Sequence, residues 1–210
     1  MKPNISSATV YVVDDEFSVR DSLEILIQSN GYEVSCHESA NSFLECYDQE
    51  KPGCLILDVR MPNISGLQLQ EELVTKNIEI PIIFISGNAD IPDSSKAFRA
   101  GAMDFLEKPF DHSVLLERVS EAIKLDTNTR FQFNQKNQAK MRFDSLTPRE
   151  KQVLQLIVNS HTNKEVAKKL NISYRTVDAH RARVMQKMNV DNIAALVSMV
   201  TKYDLQLAES

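Results

Sequence analysis

The sequence predicts an α/β domain, a five-stranded parallel sheet doubly wound with helices, followed by a small all-α domain. Three observations carry that expectation. Short β-branched segments alternate with helix-period stretches through residues 1–125, and from Ser145 onward the pattern is purely helical. The charge divides the same way: residues 1–125 hold 10 Lys/Arg against 21 Asp/Glu, whereas residues 144–190 hold 9 against 4. A net charge of −5 therefore hides an acidic half and a basic half, and the basic one suits nucleic acid.

The strands are expected at residues 9–13, 33–37, 55–57, 82–85 and 103–106. Their runs are apolar rather than alternating, as in a sheet covered on both faces. Val19, Leu23, Leu26 and Ile27 form the stripe of a first helix that stops at Gly31, and Gly101 closes a fourth. Leu115, Val119, Ala122 and Ile123 mark the last helix of this half. Residues 126–143 contain six Asn/Gln and no Gly or Pro; they read as a linker, with Phe131 and Phe133 leaving room for a helix or a docking segment. The second domain spans 144–210. Thr147-Pro148-Arg149-Glu150 is a capping box with Pro at the first helical position. Further helices are expected at about 163–170, from a Ser173 cap to about 188, and at about 192–203.

Composition narrows the class. At 42% hydrophobic and 25% charged, the 210 residues match a globular average. No apolar run approaches the roughly 18–20 residues of a membrane span, and the N-terminus does not resemble a signal peptide. Cys36, Cys46 and Cys54 lack metal-binding spacing, so a reduced, cytoplasmic protein is the simplest expectation.

The chemistry-bearing residues of the first half fall at the C-terminal ends of the expected strands: Asp14, Asp15 and Glu16 after the first, Asp58 after the third, Ser86 after the fourth, Lys108-Pro109 after the fifth. Ligands of open α/β sheets bind outside those ends. Clustered carboxylates repel one another unless a cation compensates, which implies a hard divalent ion such as Mg²⁺. That ion would screen an incoming phosphoryl group and let Asp58 act as an oxygen nucleophile, with Lys108 and the Ser86 hydroxyl on the transferred group.

Val12-Val13-Asp14-Asp15-Glu16, Leu57-Asp58-Val59-Arg60-Met61-Pro62, Ile85-Ser86-Gly87 and Phe105-Leu106-Glu107-Lys108-Pro109-Phe110 together resemble the receiver domain of two-component response regulators, over about residues 8–125. The resemblance implies a flavodoxin-like fold and phosphorylation of Asp58 by a sensor histidine kinase. It also implies Mg²⁺ held by Asp15, Asp58 and the Arg60 carbonyl, with Asp14 acting mainly through water, and a cis Lys108-Pro109 bond. Ser86 stands where relatives often have Thr. Phe105 would be the aromatic that rotates toward the space the hydroxyl vacates, turning the face of about residues 93–125 into a dimerisation surface.

Ser145 to Glu150, Asn163-Lys164-Glu165-Val166-Ala167 and Ser173 to His180 resemble the LuxR-type helix-turn-helix, over about residues 144–203. With the receiver and the segment Ser86-Gly87-Asn88-Ala89-Asp90, this indicates a response regulator of the NarL/FixJ type, of the FixJ-like branch. Helical spacing turns Val177, Val184 and Met188 inward and Arg175, Asp178, Ala179, Ala182 and Arg183 outward. Lys164, Arg175, Thr176, Asp178, Ala179, Arg181, Arg183 and Lys187 are the expected DNA-facing set. Many relatives carry Lys where this chain has Asp178; a carboxylate there could accept a hydrogen bond from cytosine or orient Arg181 or Arg175.

The expectation is thus a DNA-binding transcription regulator, not an enzyme, that dimerises on phosphorylation and, as an activator, meets promoter DNA and RNA polymerase. Two rivals stay open on residues alone: a phosphate sink or protein-docking module, and DNA binding independent of phosphorylation. Outward Arg175 and Arg183 favour DNA over the first; the acidic rim with Lys108 argues against the second.

Overall fold

The computed structural model describes residues 8–87 and 91–205, without the side chains of residues 91–93. They fall into two compact units, the first ending at Phe131 and the second starting at Gln132. In the first, strands β1 (Thr9–Val13), β2 (Glu33–His37), β3 (Gly53–Asp58), β4 (Ile82–Ser86) and β5 (Asp104–Glu107) form one parallel sheet in the order β2-β1-β3-β4-β5. Helices α1 (Phe17–Ser29), α2 (Ala40–Cys46), α3 (Gly66–Thr75) and α4 (Ile91–Arg99) follow the first four strands, and α5 (His112–Asp144) follows the fifth.

Alternation along each strand builds two cores. Val10, Val12, Ile56, Ile83 and Ile85 pack against Leu23 and Ile27 of α1 and Leu115, Val119 and Ile123 of α5. Tyr11, Val13, Leu55, Leu57 and Phe84 face Phe43 of α2, Leu69 and Leu73 of α3 and Ala97 of α4. The three central strands are buried throughout, as a continuous apolar run requires. The edge strands β2 and β5 are only half-buried, because each has a neighbour on one side alone.

The register aligns Val13 with Leu57, Asp58 with Ile85 and Ser86 with Glu107, so the C-terminal ends of β1, β3, β4 and β5 share one edge. Strand order reverses there between β1 and β3, which opens the crevice typical of such sheets. Asp58 and Ser86 are the last residues of their strands rather than the first beyond them. Gly31 and Gly101 end their helices at φ +84° and +94°, conformations that side chains disfavour.

The second unit contains α6 (Pro148–Val158), α7 (Asn163–Leu170), α8 (Tyr174–Met188) and α9 (Ile193–Lys202). Val153, Leu154, Ile157, Val166, Val177, Val184, Met188 and Leu196 are its core. Thr147 and Glu150 cap α6 reciprocally, and Thr162 and Glu165 do the same for α7, so both starts are fixed by short-range chemistry. Asn171, in a left-handed conformation, ends α7 and opens the tight turn into α8.

The segment expected as a linker is helical throughout and belongs to α5. Residues 126–131 pack with the first unit, while Ala139 and Phe143 are buried in the core of the second. No Gly or Pro interrupts the helix, and both of its ends find apolar burial. Phe131 and Phe133 remain exposed. Asp126, 3% exposed, anchors the first part: its carboxylate accepts the Gly53 N–H at 2.8 Å and the Arg130 Nε–H at 2.7 Å. Arg130 in turn donates to the Tyr47 hydroxyl and the Gln49 carbonyl. Among the described residues no helix is long and apolar enough to cross a membrane.

Asp126→Ala would strand a buried N–H and free Arg130 from its carboxylate. It should lower the stability of the first unit by about 2–3 kcal/mol, measured by chemical unfolding of the full chain.

Candidate functional site

At the C-terminal edge of the sheet, two carboxylates share one ammonium. Asp14 is fully buried and Asp58 is 6% exposed. Lys108 Nζ lies 2.7 Å from Asp14 Oδ2 and 2.9 Å from Asp58 Oδ1. The other oxygens accept backbone donors: Asp14 Oδ1 takes the Glu16 N–H at 2.8 Å, and Asp58 Oδ2 takes the Arg60 N–H at 2.7 Å. Arg20 Nη1 donates to the Asp14 carbonyl at 2.7 Å and steadies the loop that follows β1. Only a fold that brings residues 94 and 50 positions apart together could assemble this triangle.

Burial pushes the Asp58 pKa up, and the nearby Asp14 charge adds to it; the Lys108 bonds and the Arg60 N–H pull the other way and do not fully offset it. Lys108 is pulled down by burial, but its bonds to Asp14 and Asp58 outweigh that, and its pKa is raised. The triangle is therefore an ammonium held firmly charged between two buried carboxylates, of which Asp58 is costly to keep charged.

Not every expected residue joins it. Asp15 is exposed at the rim, and among the described residues no three His, Cys, Asp or Glu side chains are gathered closely enough to hold a metal ion. Ser86 is buried at the end of β4, and its carbonyl accepts the Lys108 N–H at 2.7 Å. Phe105 is half-buried on β5 with its ring stacked near Phe84, centroids 6.2 Å apart. The Lys108-Pro109 bond is cis. Asn88, Ala89 and Asp90 lie outside the described residues. Gly66 was not singled out in the sequence; a Cβ there would meet the Asp58 carbonyl oxygen at 2.2 Å, so only glycine lets α3 start this close to the site.

On the second unit, α8 presents the faces its spacing predicts: Val177, Val184 and Met188 are buried, while Arg175, Asp178, Ala179, Ala182 and Arg183 are exposed. Lys164 is exposed on α7. Thr176 is half-buried and tied to the cap, its N–H donating to Ser173 Oγ at 3.1 Å. Asp178 and Arg181 are both bonded to Asn163, a residue that the sequence did not single out for a role of its own. Lys187 departs from its expected place facing DNA. Its ammonium is 2.7 Å from Glu150 Oε2 and 3.2 Å from the Ser145 carbonyl, because Glu150 is buried and needs a counter-charge. That bond, first among several, holds the Glu150 carboxyl below its usual range. The capping-box pattern revealed the local role of Glu150 but not its long-range partner.

The comparisons with known proteins follow the same division. Residues 10–120 match the family described as "Response regulator receiver domain", and residues 144–200 match "Bacterial regulatory proteins, luxR family". The chain belongs to the response regulators of the NarL/FixJ type: a receiver joined to a LuxR-type DNA-binding domain, a transcriptional regulator and not an enzyme. It is 42% identical to the response regulator protein TmoT of Ectopseudomonas mendocina over 95% of this chain and 90% of that one. It is 40% identical to the transcriptional regulatory protein FixJ of Rhizobium meliloti, covering 91% and 94% of the two chains. The solved response regulator StyR superposes with a TM-score of 0.89 at 44% identity, over 94% of this chain and all of that one.

Two outcomes test the electrostatics. Lys108→Gln should destabilise the first unit at neutral pH, because it leaves two neighbouring carboxylates without their counter-charge, and the deficit should shrink as pH falls and Asp58, whose pKa is raised, takes up a proton; calorimetry across pH reads this. Glu150→Gln should cost about 1 kcal/mol at neutral pH. Because the folded-state pKa of Glu150 is depressed, wild type holds this advantage above the ordinary glutamate value of 4.5 and loses it as pH falls through the folded value.

Proposed function

We propose that Asp58 accepts a phosphoryl group from a sensor histidine kinase, and that the phosphorylated chain dimerises and regulates transcription from promoter DNA, as an activator that meets RNA polymerase. The observation that carries this reading is the Lys108 ammonium held between Asp14 and Asp58 at the open edge of the sheet. It is a positive charge already aimed at the carboxylate that would be modified. A phosphoryl group adds roughly −1.5 to −2 charges and strong acceptor oxygens, to which Lys108 can transfer its bonds.

The donor types suit Mg²⁺, being hard oxygen: the carboxylates of Asp15 and Asp58, the Arg60 carbonyl, and Asp14 through water would hold it, and Asp15, now exposed at the rim, would have to draw in. When bound, the cation supplies charge neutralisation for the carboxylates and the phosphoryl oxygens. The Ser86 hydroxyl, one strand away, would donate to the phosphoryl group and draw in the chain after β4. Phe105, half-buried and stacked loosely with Phe84, is the side chain that would turn in response. Exposed Phe98 and Val114 support the face of about residues 93–125 as the dimerisation surface.

For DNA, exposed Lys164, Arg175 and Arg183 are the candidates for phosphate contact, and the outward N-terminal part of α8, with Thr176, Asp178 and Ala179, is the candidate for the major groove. Arg181 and Lys187 are committed to neighbours within the unit, and their contribution to DNA would be indirect. Three free cysteines fit a cytoplasmic location.

Treatment with acetyl phosphate and Mg²⁺, read by intact mass and solution size, tests the proposal. Wild type should gain one phosphoryl group and dimerise, and Asp58→Asn should do neither. Phosphorylation without dimerisation would move the switch to release of the DNA-binding unit. Failure of wild type with acetyl phosphate and with a kinase alike would make phosphorylation-independent binding the better account.

A further inference from the structure

We infer that Asn163 is a positioning residue for sequence recognition: its side-chain amide, bridging Asp178 and Arg181, sets the base preference of α8 by holding the Asp178 carboxylate toward a base-edge amino group. The inference rests on the DNA-binding reading above and concerns a residue that lies on α7, outside the recognition helix.

The geometry is specific. Asn163 Nδ2 donates to Asp178 Oδ1 at 2.6 Å, and Asn163 Oδ1 accepts from Arg181 Nη1. This fixes the orientation of the amide, because the flipped form would set an NH₂ against a guanidinium and an oxygen against a carboxylate. Asp178 and Arg181 lie three residues apart on one face of α8, the spacing at which opposite charges meet directly. Among the described residues no ion pair joins them; the amide stands between.

The amide is not needed to start α7. Thr162 Oγ1 accepts the Glu165 N–H, and Glu165 Oε2 accepts the Thr162 N–H at 2.7 Å, so the helix is capped without Asn163. Val166 and Val177, both fully buried, keep α7 and α8 in the shared core. The side chain of Asn163 is therefore available for a task other than stability.

An exposed carboxylate on a helix that enters a polyanion is repelled unless it meets a donor. In the major groove the base-edge donors are the amino groups of cytosine and adenine, and Asp or Glu pairs with the former. Asp178 is exposed, and its Oδ2 has no partner among the described residues. Ala179 and Ala182 flank it on the exposed face with nothing longer than a methyl, which lets the helix backbone approach a groove floor. Arg181 is half-buried and turned to Asn163; this leaves its positive charge near Asp178 without neutralising it in a direct pair. Asn163 thus supplies one bond to Asp178 and removes the competitor for the rest.

Selection from a random-sequence duplex library tests this, with the full-length chain treated with acetyl phosphate. Wild type, Asn163→Ala, Asn163→Asp and Asp178→Ala are compared for base preference at each position and for the salt dependence of binding. Asn163→Asp keeps an acceptor for Arg181 but turns the donor facing Asp178 into a repelling oxygen. The expected result is that both Asn163 variants lose about five- to tenfold of preference at one base pair per half-site. That base pair should be the one Asp178→Ala relaxes, with preference at the other positions unchanged and, for the charge-neutral Asn163→Ala, the salt slope unchanged as well. Asn163→Ala should then add nothing at that position in the Asp178→Ala background. An unchanged profile in the Asn163 variants overturns the inference, as does a uniform loss across all positions with a smaller salt slope, which marks a structural or phosphate-binding role. Failure of wild type to enrich any sequence would instead fell the DNA-binding reading on which the inference stands.

Discussion

Asp14 and Asp58 come from different strands and are packed out of water with a single ammonium between them. Burial makes Asp58 costly to keep ionised and Lys108 costly to keep charged, and the bonds of Lys108 to Asp14 and Asp58 counter both. Each partner is delivered by a separate strand end, so the triangle depends on the pairing and register of β1, β3, β4 and β5. Much of the first unit can be understood as support for that juncture. Gly66 lets α3 begin against the Asp58 carbonyl, the Arg60 N–H occupies the second Asp58 oxygen, and Arg20 fastens the chain at Asp14.

The second unit solves a similar problem with different means. Its helices α6 to α9 are short, and each start is capped by a side chain, reciprocally at α6 and α7 and singly at α8 and α9. Glu150 serves twice there, as a cap for α6 and as the buried counter-charge of Lys187 on α8. That double use ties α8 to α6 and engages one lysine of α8 with a carboxylate of its own unit. The outward residues of α8 are few and mostly small or long and charged, a composition suited to close approach with peripheral cations.

Helix α5 shows which of the alternatives left open by composition the chain adopts. A segment rich in Asn and Gln, and free of large apolar clusters, reads as a linker between domains. It is helical because nothing in it breaks a helix and because both ends are held. Asp126 and Arg130 tie one end to the β3 start and the Tyr47–Gln49 turn, and Ala139 and Phe143 are buried at the other. The relevant signal was the spacing of Asp126 and Arg130 at i and i+4, which marks a helix face. Polar composition concealed it.

The sequence by itself determined the alternation of strands and helices, the caps that start α6 to α8, the inward and outward faces of α8, and the residues at the strand ends. These are local or periodic properties, set by propensity, patterning and turn chemistry over a few residues. It did not determine that Lys187 belongs to Glu150, that Asn163 joins Asp178 to Arg181, or that Asp126 takes the Gly53 N–H. Those pairs join residues 15 to 73 positions apart. Their formation depends on which elements pack together, and a one-dimensional pattern carries no record of that. Only the tertiary structure decided them, because a polar or charged side chain takes whichever partner the packing brings within reach.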